Sequence, residues 1–108
     1  MTPPRREPAP IVWSARALAD LREIDDYIAA DDPVAAARWV ARLIAKAEAA
    51  ARAPRAGRVV PELARADVRE VLQAAYRVIY RVSDRGIVIL TVFEGHRTLK
   101  LISSEGDG

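Results

Sequence analysis

Cysteine is absent from the 108 residues. Its absence excludes disulfides and thiolate chemistry and fits a cytosolic protein. The one histidine, His96, leaves too few donors for a structural zinc site, which takes three or four ligands, so no metal and no cofactor is expected. Lysine is scarce: Lys46 and Lys100 stand among 17 basic residues, the remainder being arginine. Arginine suits bidentate contacts to carboxylate or phosphate, although GC-rich coding explains the same bias in so alanine-rich a chain. No run approaches the roughly 20 apolar residues of a membrane span. No charged start leads into an apolar secretory h-region.

What is present is enough for one domain. The formal net charge is +2, unevenly spread. Residues 1–54 hold eight basic and eight acidic side chains, and residues 55–102 hold nine and five. The second half also carries the strongest structural signal. Two β-branched runs flank Ser83-Asp84-Arg85-Gly86, which predicts a hairpin over residues 76–97. In its first strand Tyr76, Val78, Tyr80 and Val82 alternate with Arg77, Ile79 and Arg81, giving one apolar and one arginine-bearing face. Its second strand is apolar on both faces over residues 87–93, as suits a central strand covered on both sides or by a partner.

The rest of the chain supports this hairpin. Residues 1–10, with four prolines, form a leader without core residues. Ile11-Val12-Trp13 is a candidate edge strand. Ser14 can cap a first helix ending near Ala30, whose apolar face is Leu18, Leu21, Ile24 and Ile28 with Ala17 beside them. Asp20, Arg22, Glu23, Asp25 and Asp26 are assigned to its solvated side. Asp32-Pro33 starts a second helix. Its buried stripe is Ala36, Val40, Leu43, Ala47 and Ala50, with Trp39 and Ile44 at the margins. Arg38, Arg42 and Lys46 line its outer face, as a solvated row or as contacts for an acidic partner. Pro54 stops this helix and Gly57 permits the turn after it. Val59-Val60 is an irregular β segment and residues 68–72 a short strand. Residues 11–102 make the domain and residues 103–108 a polar tail. The expected class is α+β, in the order β-α-α-β-β-β, with a helical hairpin packed on a small antiparallel sheet.

This order, with these motifs, resembles the ParE/RelE superfamily of bacterial toxins from type II toxin–antitoxin systems. The matching pieces are Val12-Trp13-Ser14 followed by Ala17-Leu18-x-Asp20-Leu21-x-x-Ile24-x-x-Tyr27-Ile28, then Pro54-x-x-Gly57-Arg58 and Val68-Arg69-Glu70-Val71. Tyr76-Arg77-Val78-Ile79-Tyr80-Arg81-Val82 and Ile89-Leu90-x-Val92-Phe93-x-Gly95-His96-Arg97 complete the set. Each piece is weak alone; their order over residues 11–100 is specific.

The resemblance implies a cytoplasmic bacterial toxin held inactive by a cognate antitoxin. That antitoxin would be ParD-like, with a ribbon-helix-helix domain through which alone the complex contacts DNA. ParE-like members inhibit DNA gyrase; RelE-like members cleave messenger RNA on the ribosome. A gyrase inhibitor would use Arg69, Arg77, Arg81 and Arg97 as target contacts. A nuclease would need proton transfer and a cation for the developing phosphorane charge. Arg69, Arg81, Glu94, His96 and Arg97 are its candidates, with Glu70 as another base. Two lysines and one histidine, together with the ending Phe93-Glu94-Gly95-His96-Arg97, favour the ParE-like reading, with a binding-only member as a third possibility. Leu18, Trp39, Arg38, Arg42, Val88, Leu90 and Val92 are expected at the antitoxin interface. The plainer alternatives are that Tyr76, Tyr80 and Trp39 are packing residues, that Arg69 is a structural ion-pair partner, and that His96 is a surface side chain.

Overall fold

Two helices and five strands follow one another in the computed structural model, which describes residues 10–95. β1 is Ile11–Trp13, α1 Ala15–Ala29, α2 Pro33–Arg52, β2 Arg58–Val59, β3 Val68–Gln73, β4 Tyr76–Ser83 and β5 Gly86–Glu94, with a 3-10 turn at Pro54–Ala56. Residues 1–9 of the leader, the tail, His96 and Arg97 lie outside the described residues.

The helix boundaries follow local chemistry. Ser14 Oγ accepts the Ala17 N–H at 3.0 Å, capping α1, and donates to the Leu90 carbonyl at 3.0 Å. Asp32 Oδ1 accepts from Val34 N and Ala35 N, both at 3.1 Å, and Pro33 supplies the first residue of α2. Small side chains let α2 lie close on its neighbours: Ala36, Ala47, Ala50 and Ala51 are all buried, with Leu43 among them. Gly57 has an ordinary extended backbone, φ −68 and ψ 153. Glycine is needed there because a Cβ would stand 2.1 Å from the Tyr80 hydroxyl, so its role is close approach and not a special turn.

The strands form one sheet in the order β1-β5-β4-β3-β2. It is mixed, because β1 pairs with β5 in parallel, Ile11 opposite Ile87 and Trp13 opposite Ile89. The other pairs are antiparallel. Between β4 and β5, Tyr80 faces Ile89 while Ile79 faces Thr91, so Leu90 is an extra residue forming a β-bulge. The bulge changes which face each β5 residue serves. Ile87 and Ile89 lie in the helix-side core, and beyond the bulge Val92 does so too. That core also holds Ala17, Leu21, Leu43, Val78 and Tyr80. A second, smaller core of Val60, Val68 and Ile79 is joined by Leu63, Leu90 and Phe93. β5 is thus covered largely by its own chain. Leu18, expected on the buried face of α1, is 45% exposed.

Candidate functional site

The arginine-bearing face of β4 is where the largest reassignment occurs. Arg77 is 6% exposed. Its Nε donates to Glu70 Oε1 at 2.7 Å, and Nη1 and Nη2 donate to the two Glu62 oxygens at 2.9 and 3.0 Å. The guanidinium carbon lies 5.5 Å from the centre of the Phe93 ring. Glu70, 1% exposed, also receives Arg58 Nε. The hydrogen bond from Arg77 holds the Glu62 carboxyl below its ordinary range, and the same bond holds the Arg77 guanidinium above its own. Arg77 is therefore a buried structural cation and not a surface contact. Glu70 is enclosed between two guanidiniums, so it cannot reach a substrate proton as a general base.

Arg69 is also committed to the fold. Its Nε donates to the Ala66 carbonyl at 2.9 Å, and its Nη1 to the carbonyls of Arg55 at 3.1 Å and Gly57 at 3.0 Å. It staples the chain before β2 to the chain before β3. The structural role that the sequence allows Arg69 is met by carbonyls and not by an ion pair: Asp67 pairs with Arg65, which lowers the Asp67 pKa through their hydrogen bond. Of the target-contact cations named from sequence, Arg81 is the described one that remains exposed.

Glu94 lines a cavity of about 340 Å³ between α1 and the ends of β4 and β5, with Asp20, Glu23, Tyr27, Tyr76 and Phe93 among its walls. Three carboxylates there make it acidic. Asp20, expected on the solvated side of α1, instead turns to the sheet: its Oδ2 accepts from Val92 N at 3.0 Å and from the Thr91 hydroxyl. It thus satisfies the stretch of β5 that β1 is too short to pair. The signal was present in the sequence: Asp20 falls between Ala17, Leu21 and Ile24 at spacings of three, one and four, on the buried face.

The outer side of the helical hairpin carries the other candidate surface. An apolar groove of about 410 Å³ runs between the helices, lined by Leu21, Ala37, Val40, Ala41 and Ile44 with Arg22 and Asp25 on it. Leu18, Tyr27 and Val34 are exposed on the two helices. Arg38 and Arg42 are exposed on α2, and Arg42 lies 5.6 Å from the centre of the half-buried Trp39 ring. Trp39 in turn meets Tyr76 edge to face at 5.6 Å. Of the β5 residues expected at a partner interface, Val88 and Leu90 are half-buried. Val92 is 2% exposed in the core and is closed to any partner. No group of three or more His, Cys, Asp or Glu suited to a metal occurs among the described residues, and no described helix is long and apolar enough to cross a membrane.

Comparison with known proteins gives a consistent picture. The family described as the ParE toxin of the type II toxin–antitoxin system parDE matches residues 11–99. The protein Y4kP of Sinorhizobium fredii is 42% identical over 92 residues, covering 81% of this chain and 88% of that protein. Toxin RelE2 of Caulobacter vibrioides is 41% identical over 85 residues, covering 78% and 92%. Among solved structures, the chromosomal ParDE TA system from P. aeruginosa superposes with a TM-score of 0.67 at 23% identity, covering 81% of this chain and 96% of that one. The toxin–antitoxin complex RelBE2 from Mycobacterium tuberculosis superposes with a TM-score of 0.59 at 26% identity, covering 81% and 91%.

Proposed function

As this chain belongs to the ParE toxin family of type II toxin–antitoxin systems, we propose that, when free, it inhibits DNA gyrase and does not cut RNA. The observation that carries this reading is the enclosure of Glu70 between Arg58 and Arg77. That carboxylate and the cation Arg69, on which strand cleavage would draw, are tied into the sheet, whereas Arg81 stays exposed for a target contact. A gyrase inhibitor needs no proton transfer of its own. It must bind one state of the enzyme more tightly than the others, since equal affinity shifts nothing.

A second reading, a ribosome-dependent nuclease, draws on the 41% identity to a toxin named RelE2; it would rest on Glu94, His96 and Arg97. Two assays separate them. Toxin added to gyrase should reduce supercoiling, and cognate antitoxin should restore it. Toxin added to translating ribosomes should create no new messenger ends. Messenger cleavage that disappears in Glu94→Ala or His96→Ala reverses the choice.

The partner that silences the toxin is a cognate antitoxin in this reading, laid along the outer groove of the helical hairpin. Exposed Leu18 and Val34 supply apolar contacts there and Arg38 and Arg42 supply charge. An amphipathic acidic segment fits that chemistry.

A further inference from the structure

Three segments remote in sequence are tied together at the end of the sheet that carries the β4–β5 turn. Arg69 binds the carbonyls of Arg55, Gly57 and Ala66. The Tyr80 hydroxyl donates to the Pro54 carbonyl at 2.7 Å, and Val82 N donates to the Asp67 carbonyl at 2.7 Å. Residues 53–57, 65–69 and 81–86 therefore share one end of the molecule, and each brings arginine. Three arginines there are already engaged: Arg69 by those carbonyls, Arg52 at the carbonyl end of α2, where the helix dipole takes up a cation, and Arg65 by Asp67. The side chains of Arg55, Arg81 and Arg85 are exposed and make no hydrogen bond or ion pair with a described residue. The nearby carboxylates are Asp67, held by Arg65 and also within the field of Arg81, and Asp84, which lines the cleft beside the turn. An open cleft of about 550 Å³ lies between Arg55 and the turn, floored by Pro54, Ala56 and Val82.

We propose that this end of the free toxin contacts the phosphate backbone of duplex DNA directly, through Arg55, Arg81 and Arg85. Guanidinium is the side chain best shaped for bidentate phosphate contact. A duplex is favoured over a single strand because binding of unpaired bases uses aromatic stacking platforms, and these segments contain no aromatic residue, while the adjoining Tyr80 is fully buried. Three cations give weak, sequence-independent binding. That suffices for a protein delivered to DNA by an enzyme already holding it, because tethering raises the effective concentration. The choice of DNA over other phosphate polymers rests on the gyrase reading, whereas the phosphate contact does not. This contact is the toxin's own, whereas the family resemblance implies DNA contact through the antitoxin alone.

The test is fluorescence anisotropy of a short labelled DNA duplex with full-length, antitoxin-free toxin, between about 50 and 200 mM salt. Wild-type toxin should bind and weaken as salt rises. The triple variant Arg55→Ala, Arg81→Ala, Arg85→Ala should bind about tenfold or more weakly at low salt, with a salt slope shallower by about 2 to 3. Replacing all three by lysine keeps the charge and should retain most of the affinity, and both triple variants should melt with the wild type. Absence of salt-dependent binding, alanine and wild-type proteins that bind alike, tighter binding of an RNA duplex than of DNA, or binding of polyglutamate in place of DNA would each overturn the proposal. Supercoiling assays in parallel separate the two claims. Inhibition without DNA binding defeats this contact and leaves the gyrase reading standing; DNA binding without inhibition defeats the gyrase reading and leaves the contact.

Discussion

Arg77 and Arg81 stand on the same face of β4 with Ile79 between them, and differ in everything that matters for their roles. Removing Arg77 leaves Glu70 buried with Arg58 alone and strips Glu62 of its partner. Breaking a buried pair in this way costs about 3–5 kcal/mol, and the surviving Arg58 places the expected loss near the low end. Arg81→Ala should change stability by no more than about 0.5 kcal/mol, as an exposed side chain outside any such network. Urea unfolding at neutral pH measures both, and equal losses in the two variants would remove the distinction. Glu62 adds a dependence on pH. Its carboxyl is held below the ordinary carboxylate range by Arg77, so the folded state binds that proton less readily than the unfolded chain. The stability it contributes is fully present above about pH 4.5 and is lost as pH falls through the lowered folded value. In Glu62→Gln this component should vanish. Unfolding midpoints followed from neutral to acid pH should therefore fall less steeply than in the wild type, and parallel curves would count against the assignment.

At the scale of elements, the bulge at Leu90 decides what β5 presents to each side of the sheet. With it, Val78 faces Val92 and Tyr76 faces Glu94. Deleting Leu90 joins Ile89 to Thr91 and restores an unbroken ladder in which Val92 still faces Val78 on the helix side. The deletion should therefore keep a cooperative unfolding transition, losing only the Leu90 side chain from the smaller core. Leu90→Ala keeps the bulge and should cost only about 2 kcal/mol, the lower limit for a leucine truncation because the side chain is half-buried. Thermal melts by near-ultraviolet circular dichroism compare them, and a deletion that loses its cooperative transition would show that the extra residue is itself needed to hold the register. β1 is a second case. The triplet Ile11–Trp13 reads as an edge strand from its composition, but its parallel direction follows from the return of the chain to β5. Where β1 ends, Ser14 and Asp20 take over the exposed groups of β5, which prevents that edge from templating another strand.

For the whole molecule, the division between holding the fold and meeting a partner runs between two leucines. Leu43 is fully buried on the inner face of α2, and Leu43→Ala should lower stability by about 2–5 kcal/mol, a large share of the roughly 5–15 kcal/mol typical of a domain. Leu18 is exposed, so Leu18→Ala should melt with the wild type and weaken antitoxin binding measured by calorimetry. Unchanged affinity would move the interface off α1. The helix caps at Ser14 and Asp32-Pro33, the alanine stripe of α2, the turn at residues 83–86 and the alternation of β4 could all be read in the sequence, and so the α-hairpin on a sheet could be read too. These are decided by residues within a turn or two of each other. The roles of the charged residues were not legible in the same way. Arg77 finds Glu62 across 15 residues, Arg69 finds Gly57 across 12, and Asp20 finds Thr91 across 71. A charge in a sequence carries no mark of whether a distant carboxylate or carbonyl will close over it. Tertiary structure decides that, because desolvating an ion is tolerated only where the fold delivers its partner.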